Sequence, residues 1–371
     1  MTKPVRVALI GTGYMGKCHA LAWNAVAPLF GDVARPELTL LCEVNGALAQ
    51  TRARELGFAR SSSDWRDAVT APDIDIVSIT TPNAFHAEMA LAALDAGKHI
   101  WCEKPMAPAF ADAEKMAAAA RKSGRVAALG YNYIQNPMMR LIGRLIQEDA
   151  IGRLTHLRVE MDEDFMADGA TPFNWKHEAT SGFGALDDFG VHAFSLLTAL
   201  NMAPRAVCAD MAKPYTTRLT GDGALREVET FDVASLLLRF DGASGIILLN
   251  RSAWGRKGRI FLQIFGTRGG ILYDQERMNE LQLYSADAPG DRQGFRTILA
   301  APAHPPYDKF VPAPGHGLGF NDLKVIECRE ILRAIAGEPA HLIGFEAGLA
   351  IEHTVHAAAR SHESGAWVDI A

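Results

Sequence analysis

The sequence predicts a doubly wound α/β domain over residues 1–130, followed over 131–371 by an α+β domain with a large, mostly antiparallel open sheet. Three observations predict it. In the first part, short apolar runs rich in β-branched residues alternate with helical patterns that end in glycine. In the second part, strand-like runs follow one another with few helices between them. Between the first strand and the first helix stands a G-x-G-x-x-G turn. Near-continuous apolar strands alternating with helices indicate a parallel sheet covered on both faces, and strands without crossovers indicate antiparallel pairing.

In order along the chain, "VRVALI" (5–10) is a strand and a helix follows from about Tyr14. "LTLLCE" (38–43) is the second strand. "NGALAQTRARELG" (45–57) is a helix, with Asn45 as its cap and Gly57 as its stop. "IDIVSIT" (74–80) and "KHIWCE" (98–103) are strands around a helix at 84–97. A helix at 112–124 and a strand at 125–131 complete the first domain. The second opens with a helix near 137–148 and the alternating strand "LTHLRVEMDEDF". The strands "RAVCADMA", "FDVASLLLRF", "GIILLNRSAW", "RIFLQIFG", "GGILYD" and "LQLYS" then follow, with "FDGASG" as a hairpin turn. Residues 288–319 are rich in Pro and Gly and form a long loop. Helices near 321–335 and 345–361 come last.

The chain has 371 residues, 49% hydrophobic and 22% charged, the composition of a soluble globular protein of two domains. A formal net charge of −6 argues against a nucleic-acid partner. No apolar run approaches the roughly 20 residues that a membrane span needs. "MTKPVRVALIG" is not a signal peptide, since its short apolar run leads directly into the glycine turn. Cys18, Cys42, Cys102, Cys208 and Cys328 form no CxxC pair, which suits reduced, mostly buried thiols and a cytoplasmic location.

"GTGYMG" places Gly11, Gly13 and Gly16 in the spacing of a Rossmann dinucleotide turn, with Tyr14 and Met15 inside it. The first glycine allows the tight turn, the second lets the backbone approach a pyrophosphate, and the third lets helix and strand pack closely. Free N–H groups at the helix start bind the phosphates. Glu43 ends the second strand. A carboxylate there accepts both adenosine ribose hydroxyls and repels a 2′-phosphate, which favours NAD over NADP. Its offset from the glycines is longer than the usual ~20 residues, with "VAPLFGDVARPE" as the excess.

"VALIGTGYMGKCHA", "TPNAFHAEMALAALDAGKHIWCEKP" and "GFGALDDFGVH", in that order, make the chain similar to the glucose–fructose oxidoreductase / inositol dehydrogenase (Gfo/Idh/MocA) family. The resemblance implies an NAD-dependent oxidoreductase acting on a sugar or polyol. It implies that Lys104 is catalytic and contacts the reacting oxygen, that Glu103 lies near the nicotinamide ribose, and that Thr81, Pro82 and Asn83 lie under the cofactor. The residues read alone agree for Lys104: a strand's carboxyl end in an open α/β sheet is where ligands bind, and an ammonium there stabilises a developing alkoxide. The bland alternative is a strand-end lysine in a structural ion pair with some other acid. His86 fits direct cofactor contact or a structural role.

Asp188 and His192 stand four apart in "DDFGVHAFSLL", which on a helix puts both on one face. A carboxylate there fixes the imidazole tautomer and raises its basicity. The family pattern G-G-G-x-x-x-D-x-G-x-H is matched at Gly182, Gly184, Asp188, Gly190 and His192, with Phe183 for the middle glycine; Asp187 points elsewhere. Many relatives carry an acid where this chain has Ser195. Trp175 and Lys176 resemble a Trp–Arg pair that faces cofactor and substrate, and lysine loses the bidentate fork. Tyr133 lines the sugar site or packs in the core. His316, on the long loop, reaches the pocket in some relatives and is otherwise a solvated loop histidine. His353 and His356, three apart on a helix, lack a third ligand and imply no metal site.

The reaction this predicts is oxidation of a ring hydroxyl of a cyclitol or pyranose by NAD. The alternatives are an aldose 1-dehydrogenase forming a lactone and a non-catalytic dinucleotide-binding regulator. Apolar residues at consecutive positions in "FDVASLLLRF" and "GIILLNRSAW" predict an open sheet face that pairs two subunits, giving a homodimer or homotetramer.

Overall fold

The computed structural model describes residues 3–370; Met1, Thr2 and Ala371 lie outside the described residues. The chain divides into two compact units. One runs to Gln135 and takes in Leu318–Ala350; the other is Asn136–Gly317 with the chain from Ile351 onward.

The first unit alternates strand and helix: β1 (Val5–Ile10), α1 (Tyr14–Phe30), β2 (Pro36–Cys42), α2 (Gly46–Leu56), β3 (Arg60–Ser62), α3 (Arg66–Thr70), β4 (Ile76–Ile79), α4 (His86–Asp95), β5 (His99–Cys102), α5 (Phe110–Ser123) and β6 (Ala127–Leu129). Its six-stranded sheet has the order β3-β2-β1-β4-β5-β6, and every pair is parallel. Helices on both faces explain the apolar strands: all four residues of β4 are buried, including Ser78, whose hydroxyl accepts the Trp23 indole N–H at 2.9 Å. Leu9, Leu41, Ala20, Ala49, Ala53 and Phe58 pack together between strands and helices, and each fully buried leucine contributes about 1.5–3 kcal/mol. Asn45 caps α2 by accepting the Leu48 N–H at 3.1 Å, and Gly57 ends it with φ +84°.

The later segment belongs here because the eighth helix in chain order, α8 (Phe320–Ile335), packs along α1. Leu129 N–H also donates to Ile343 O at 2.9 Å, extending the sheet edge beside β6. A single cut after residue 130 misses this return of the chain, since no local pattern announces which core a late helix joins.

The second unit contains α6 (Pro137–Gln147), β7 (Leu154–Glu163), α7 (Val191–Ala199), β8 (Ala206–Ala212), β9 (Thr217–Leu219), β10 (Leu225–Glu227), β11 (Val233–Phe240), β12 (Ala243–Asn250), β13 (Lys257–Gly266), β14 (Gly269–Asp274), β15 (Glu280–Ser285), β16 (Arg296–Leu299), β17 (Val368–Asp369) and most of α9 (Phe345–Ser364). Nine strands form one sheet, β16-β15-β14-β13-β7-β12-β11-β8-β17, antiparallel except for the β7–β12 pair. Asp241 and Gly242 make the tight β11–β12 hairpin. Alternation is clean on these strands: Leu236, Leu238, Ile247 and Leu249 are buried, while Leu237 and Leu248 are 48% and 40% exposed. The 288–319 stretch is not structureless. It holds β16 and short 3₁₀ turns at Gly290–Arg292 and Tyr307–Lys309. A short, mostly exposed edge strand has no apolar signature to read.

The glycine turn shows two different requirements. A Cβ on Gly16 would lie 2.3 Å from Gly11 O, whereas one on Gly13 would meet nothing within 4 Å. We predict that Gly16→Ala destabilises the protein by about 1–3 kcal/mol, measured by urea unfolding, and that Gly13→Ala leaves the midpoint unchanged. Equal losses would show that the α1–β1 contact is not the limiting one.

Candidate active site

In the first unit the carboxyl ends of the parallel strands carry the sequence-singled residues on one edge. Gly11 follows β1, Glu43 follows β2, Thr81–Asn83 follow β4, and Glu103–Lys104 follow β5. Gly11 turns with φ +92°, and a Cβ there would lie 2.9 Å from Thr80 O. Gly13 caps α1 beside open space, and no acidic residue stands in the first turn of α1. Its N–H groups, backed by the helix dipole, suit a pyrophosphate. The Thr12 hydroxyl donates to the Glu43 carboxylate at 2.6 Å, holding it beside the turn. The long offset to Glu43 has a plain cause: α1 continues to Phe30 before the chain turns at Gly31. The glycine cradle and the tethered acid together fit a dinucleotide.

Tyr14 is exposed and Met15 half-buried. Tyr14 and Tyr133 both pack on Phe320, at ring distances of 5.9 and 6.1 Å. Thr81 and Pro82 stay partly accessible, and Asn83 is buried at the start of a 3₁₀ turn, Asn83–Phe85. His86 is buried, with Nδ1 2.9 Å from Pro105 O and Nε2 3.0 Å from Thr81 O. It thus spans the strand-end loops after β4 and β5, and burial holds its pKa below the ordinary value.

Lys104 is half-buried, and the Lys104–Pro105 bond is cis. Glu103 is turned into the protein. Its Oε1 lies 2.8 Å from His19 Nε2 and 2.6 Å from Lys324 Nζ, and Lys324 also donates to Glu327 at 2.9 Å. Burial alone would raise the Glu103 carboxyl, but Lys324 and His19 outweigh it and hold it well below the carboxylate range. Burial drives His19 down to about 4 and Glu327 up to about 7. The sequence reading missed His19, Lys324 and Glu327. The histidine three residues past Gly16 was the one available signal.

In the second unit, Asn174 caps a short turn, Trp175–His177, by accepting the Lys176 N–H at 3.0 Å. Trp175 is 48% exposed. Lys176 Nζ lies 2.6 Å from Asp188 Oδ2, with the rings of Phe165 and Trp175 at 5.0 and 5.6 Å. Arg251, fully buried and unnoticed in the sequence, lies 3.6 Å from the same Asp188 oxygen and 2.7 Å from Asp232. The expected plain α-helix through Asp188 and His192 is not what forms. Leu186–Gly190 is a π-helical turn, closed by the Val191 N–H on Leu186 O, and α7 begins only at Val191. The wider turn changes the relation that an i,i+4 count assumes, and such turns concentrate at functional sites. His192 is buried in the first turn of α7. The Ser195 hydroxyl donates back to His192 O at 2.7 Å.

Gly182 has φ +103°, and a Cβ there would lie 2.5 Å from the Asp187 carboxylate, which accepts the Phe183 N–H. Phe183 meets His356 edge-on at 5.1 Å. His316 is exposed, and its carbonyl accepts the Tyr307 hydroxyl. Among the described residues no group of three or more His, Cys, Asp or Glu could hold a metal ion, and the five cysteines form no disulfide.

Comparison with known proteins decides the family. The oxidoreductase family model with an NAD-binding Rossmann fold matches residues 5–131, and the GFO/IDH/MocA C-terminal domain matches residues 139–272. The chain belongs to the Gfo/Idh/MocA family. It is an NAD-dependent oxidoreductase. Family members similar over their full length include the levoglucosan dehydrogenase of Pseudarthrobacter phenanthrenivorans, 35% identical over 99% of this chain and 98% of that protein. A solved structure of levoglucosan dehydrogenase with NADH and levoglucosan is 36% identical, covers 99% of this chain and 100% of that one, and has a TM-score of 0.96. An NAD-binding oxidoreductase from Klebsiella pneumoniae is also 36% identical, with full coverage of both chains and a TM-score of 0.95.

Within this family member, burial raises the Asp187 carboxyl to about 7, and the neighbouring Asp188 adds to the shift. A carboxyl whose folded pKa lies above its unfolded value of 3.8 keeps its proton in the folded chain after the unfolded chain has lost it. Stability therefore falls as pH rises through that interval. Asp187→Asn, which preserves the acceptor for Phe183, should shrink the loss of melting temperature between pH 5 and pH 8. An unchanged difference would show that Asp187 is already ionised at the lower pH.

Proposed function

We propose that the protein oxidises a secondary ring hydroxyl of a pyranose or cyclitol to the ketone with NAD, and that a 1,6-anhydro sugar such as levoglucosan is the substrate to test first. The observation that carries this is Lys104 at the end of β5, on the strand edge that also holds the glycine turn and Glu43. The full-length likeness to levoglucosan dehydrogenase supports the substrate class.

In the proposed reaction the ammonium of Lys104 donates a hydrogen bond to the substrate oxygen and stabilises it as it becomes an alkoxide. His192 accepts the hydroxyl proton as general base. When bound, NAD supplies the hydride acceptor, C4 of its nicotinamide, so the alcohol loses a proton to the protein and a hydride to the cofactor. Asp188, held by Lys176 and Arg251, orients His192. Tyr133, Trp175, Lys176 and His316 are assigned to substrate or cofactor contact. Their aromatic and cationic character suits a polyhydroxylated ring.

We also propose that the protein is cytoplasmic, in keeping with its free cysteines, and works as a homo-oligomer. The open face of the nine-stranded sheet carries exposed Leu237 and Leu248. Leucines left exposed on a sheet face favour cover by a second copy.

Three outcomes are expected. Levoglucosan, myo-inositol, methyl glucoside or glucose should reduce NAD, read by NADH absorbance. Levoglucosan has no free anomeric hydroxyl, so turnover of glucose alone would instead support a lactone-forming enzyme. Lys104→Ala should cut kcat by about a hundredfold or more while NADH still binds; near-normal turnover would sink the mechanism. Light scattering should report a multiple of the 40.2 kDa chain, and a clean monomer would refute the sheet-face argument.

A further inference from the structure

The cluster around Glu103 is a buried ionic group in the first unit that the proposed reaction leaves unused. Lys324 and His19 are wholly inaccessible, and Glu103 and Glu327 nearly so. Burying an ion pair typically costs about as much as it gains, and apolar replacements are often as stable. Stability is therefore a poor reason for three charged side chains and a histidine to meet here.

Geometry supplies a better one. Glu103 is the last residue before Lys104, and its carboxylate is gripped from three other elements. His19 reaches it from α1 and Lys324 from α8. Gly130, just past β6, forms its floor: a Cβ there would lie 2.5 Å from Oε1 and 3.0 Å from Oε2, so only glycine leaves the carboxylate its place. Trp101, two residues before Glu103, is clamped by the same groups. The His19 ring stacks on it at 3.6 Å and Lys324 Nζ lies 5.2 Å from its centroid. The end of β5 is thus tied to α1, β6 and α8 immediately before the chain delivers Lys104.

We propose that Glu103, Lys324 and Gly130 are positioning residues that set where the ammonium of Lys104 stands, and that Glu103 acts through this buried anchor. The inference rests on the reading of Lys104 as the group that meets the substrate oxygen. The ionisation pattern supports it: despite burial, the two carboxylates keep Lys324 charged above the ordinary lysine range.

The test compares Glu103→Gln, Lys324→Met and Gly130→Ala, the last of which displaces the carboxylate while keeping every charge. Each is made alone, and Gly130→Ala also in a Lys104→Ala background. Melting temperature and NADH fluorescence titration establish that each variant folds and binds cofactor. Competitive acetylation with acetic anhydride in the NADH-bound protein, read by mass spectrometry, reports the reactivity of the Lys104 amine against exposed Lys257 and needs no substrate. We expect NADH affinity within about twofold of the parent, Lys104 reactivity shifted at least about threefold, and kcat with levoglucosan and NAD lowered about tenfold with little change in KM. In the Lys104→Ala background, Gly130→Ala should cost no more than about a further twofold, because both changes remove one contribution. Should Lys324→Met fail to fold, the other two variants decide. Unchanged Lys104 reactivity in folded variants would overturn the proposal, as would a fully additive loss of turnover. A fully active Lys104→Ala enzyme would instead overturn the reading of Lys104 as the reacting group, while the labelling would still report whether the anchor positions it.

Discussion

A parallel sheet covered on both faces by helices presents its chemistry at one edge, and the first unit depends on that constraint. Each strand enters from the same side, so Gly11, Glu43, Thr80, Glu103 and Gly130 all emerge at the carboxyl ends of β1, β2, β4, β5 and β6. The contact of Gly16 with the Gly11 carbonyl lets α1 begin close against β1, which puts its N-terminus at that edge. The order β3-β2-β1-β4-β5-β6 then sets Glu43 on one side of the glycine turn and, beyond β4, the strand that leads to Lys104 on the other.

Charge is handled alike in both units. Glu103 meets Lys324 and His19, and Asp188 meets Lys176 and Arg251. In each case a carboxylate meets a buried cation from a distant part of its unit, Lys324 or Arg251, and a second partner, the neutral His19 ring or Lys176. Low local dielectric makes such networks rigid when satisfied and costly when broken. Burial outweighs the stabilising contacts of Asp187 and Glu327, which hold a proton to higher pH. Family membership and full-length likeness to a sugar dehydrogenase place this electrostatics in an oxidoreductase, a class of reaction in which an alcohol gives up a proton from its oxygen and a hydride from the carbon that bears it.

Much of this was legible beforehand because it is encoded locally. Apolar runs mark β1, β2, β4, β5 and β6. Asn45 and Gly57 mark the ends of α2, and the glycine spacing marks the cofactor turn. Shorter or more polar elements were not legible: β3, β9, β10 and β16 have three or four residues each and carry no apolar period. The "DDFG" start of "DDFGVHAFSLL" looked like an ordinary helix because a π turn has no residue signature that separates it from an α-helix. A structural ion pair at the strand end, weighed as an alternative for Lys104, is a feature that the neighbouring Glu103 displays with Lys324.

By itself the sequence determined the longer apolar strands and most of the helices, that a nucleotide turn follows the first strand, and that Lys104, Asp188 and His192 are the residues to examine. The elements and the glycine turn rest on periodicity and spacing over a few residues, and the three site residues rest on the family resemblance of "EKP" and "DDFGVH". Only the tertiary structure decided that α8 returns to the first unit, that Lys324 reaches Glu103 from 221 positions away, and that Arg251 and Lys176 share Asp188. A buried charge takes its partner from whatever folding packs beside it, and separation along the chain carries no record of that choice.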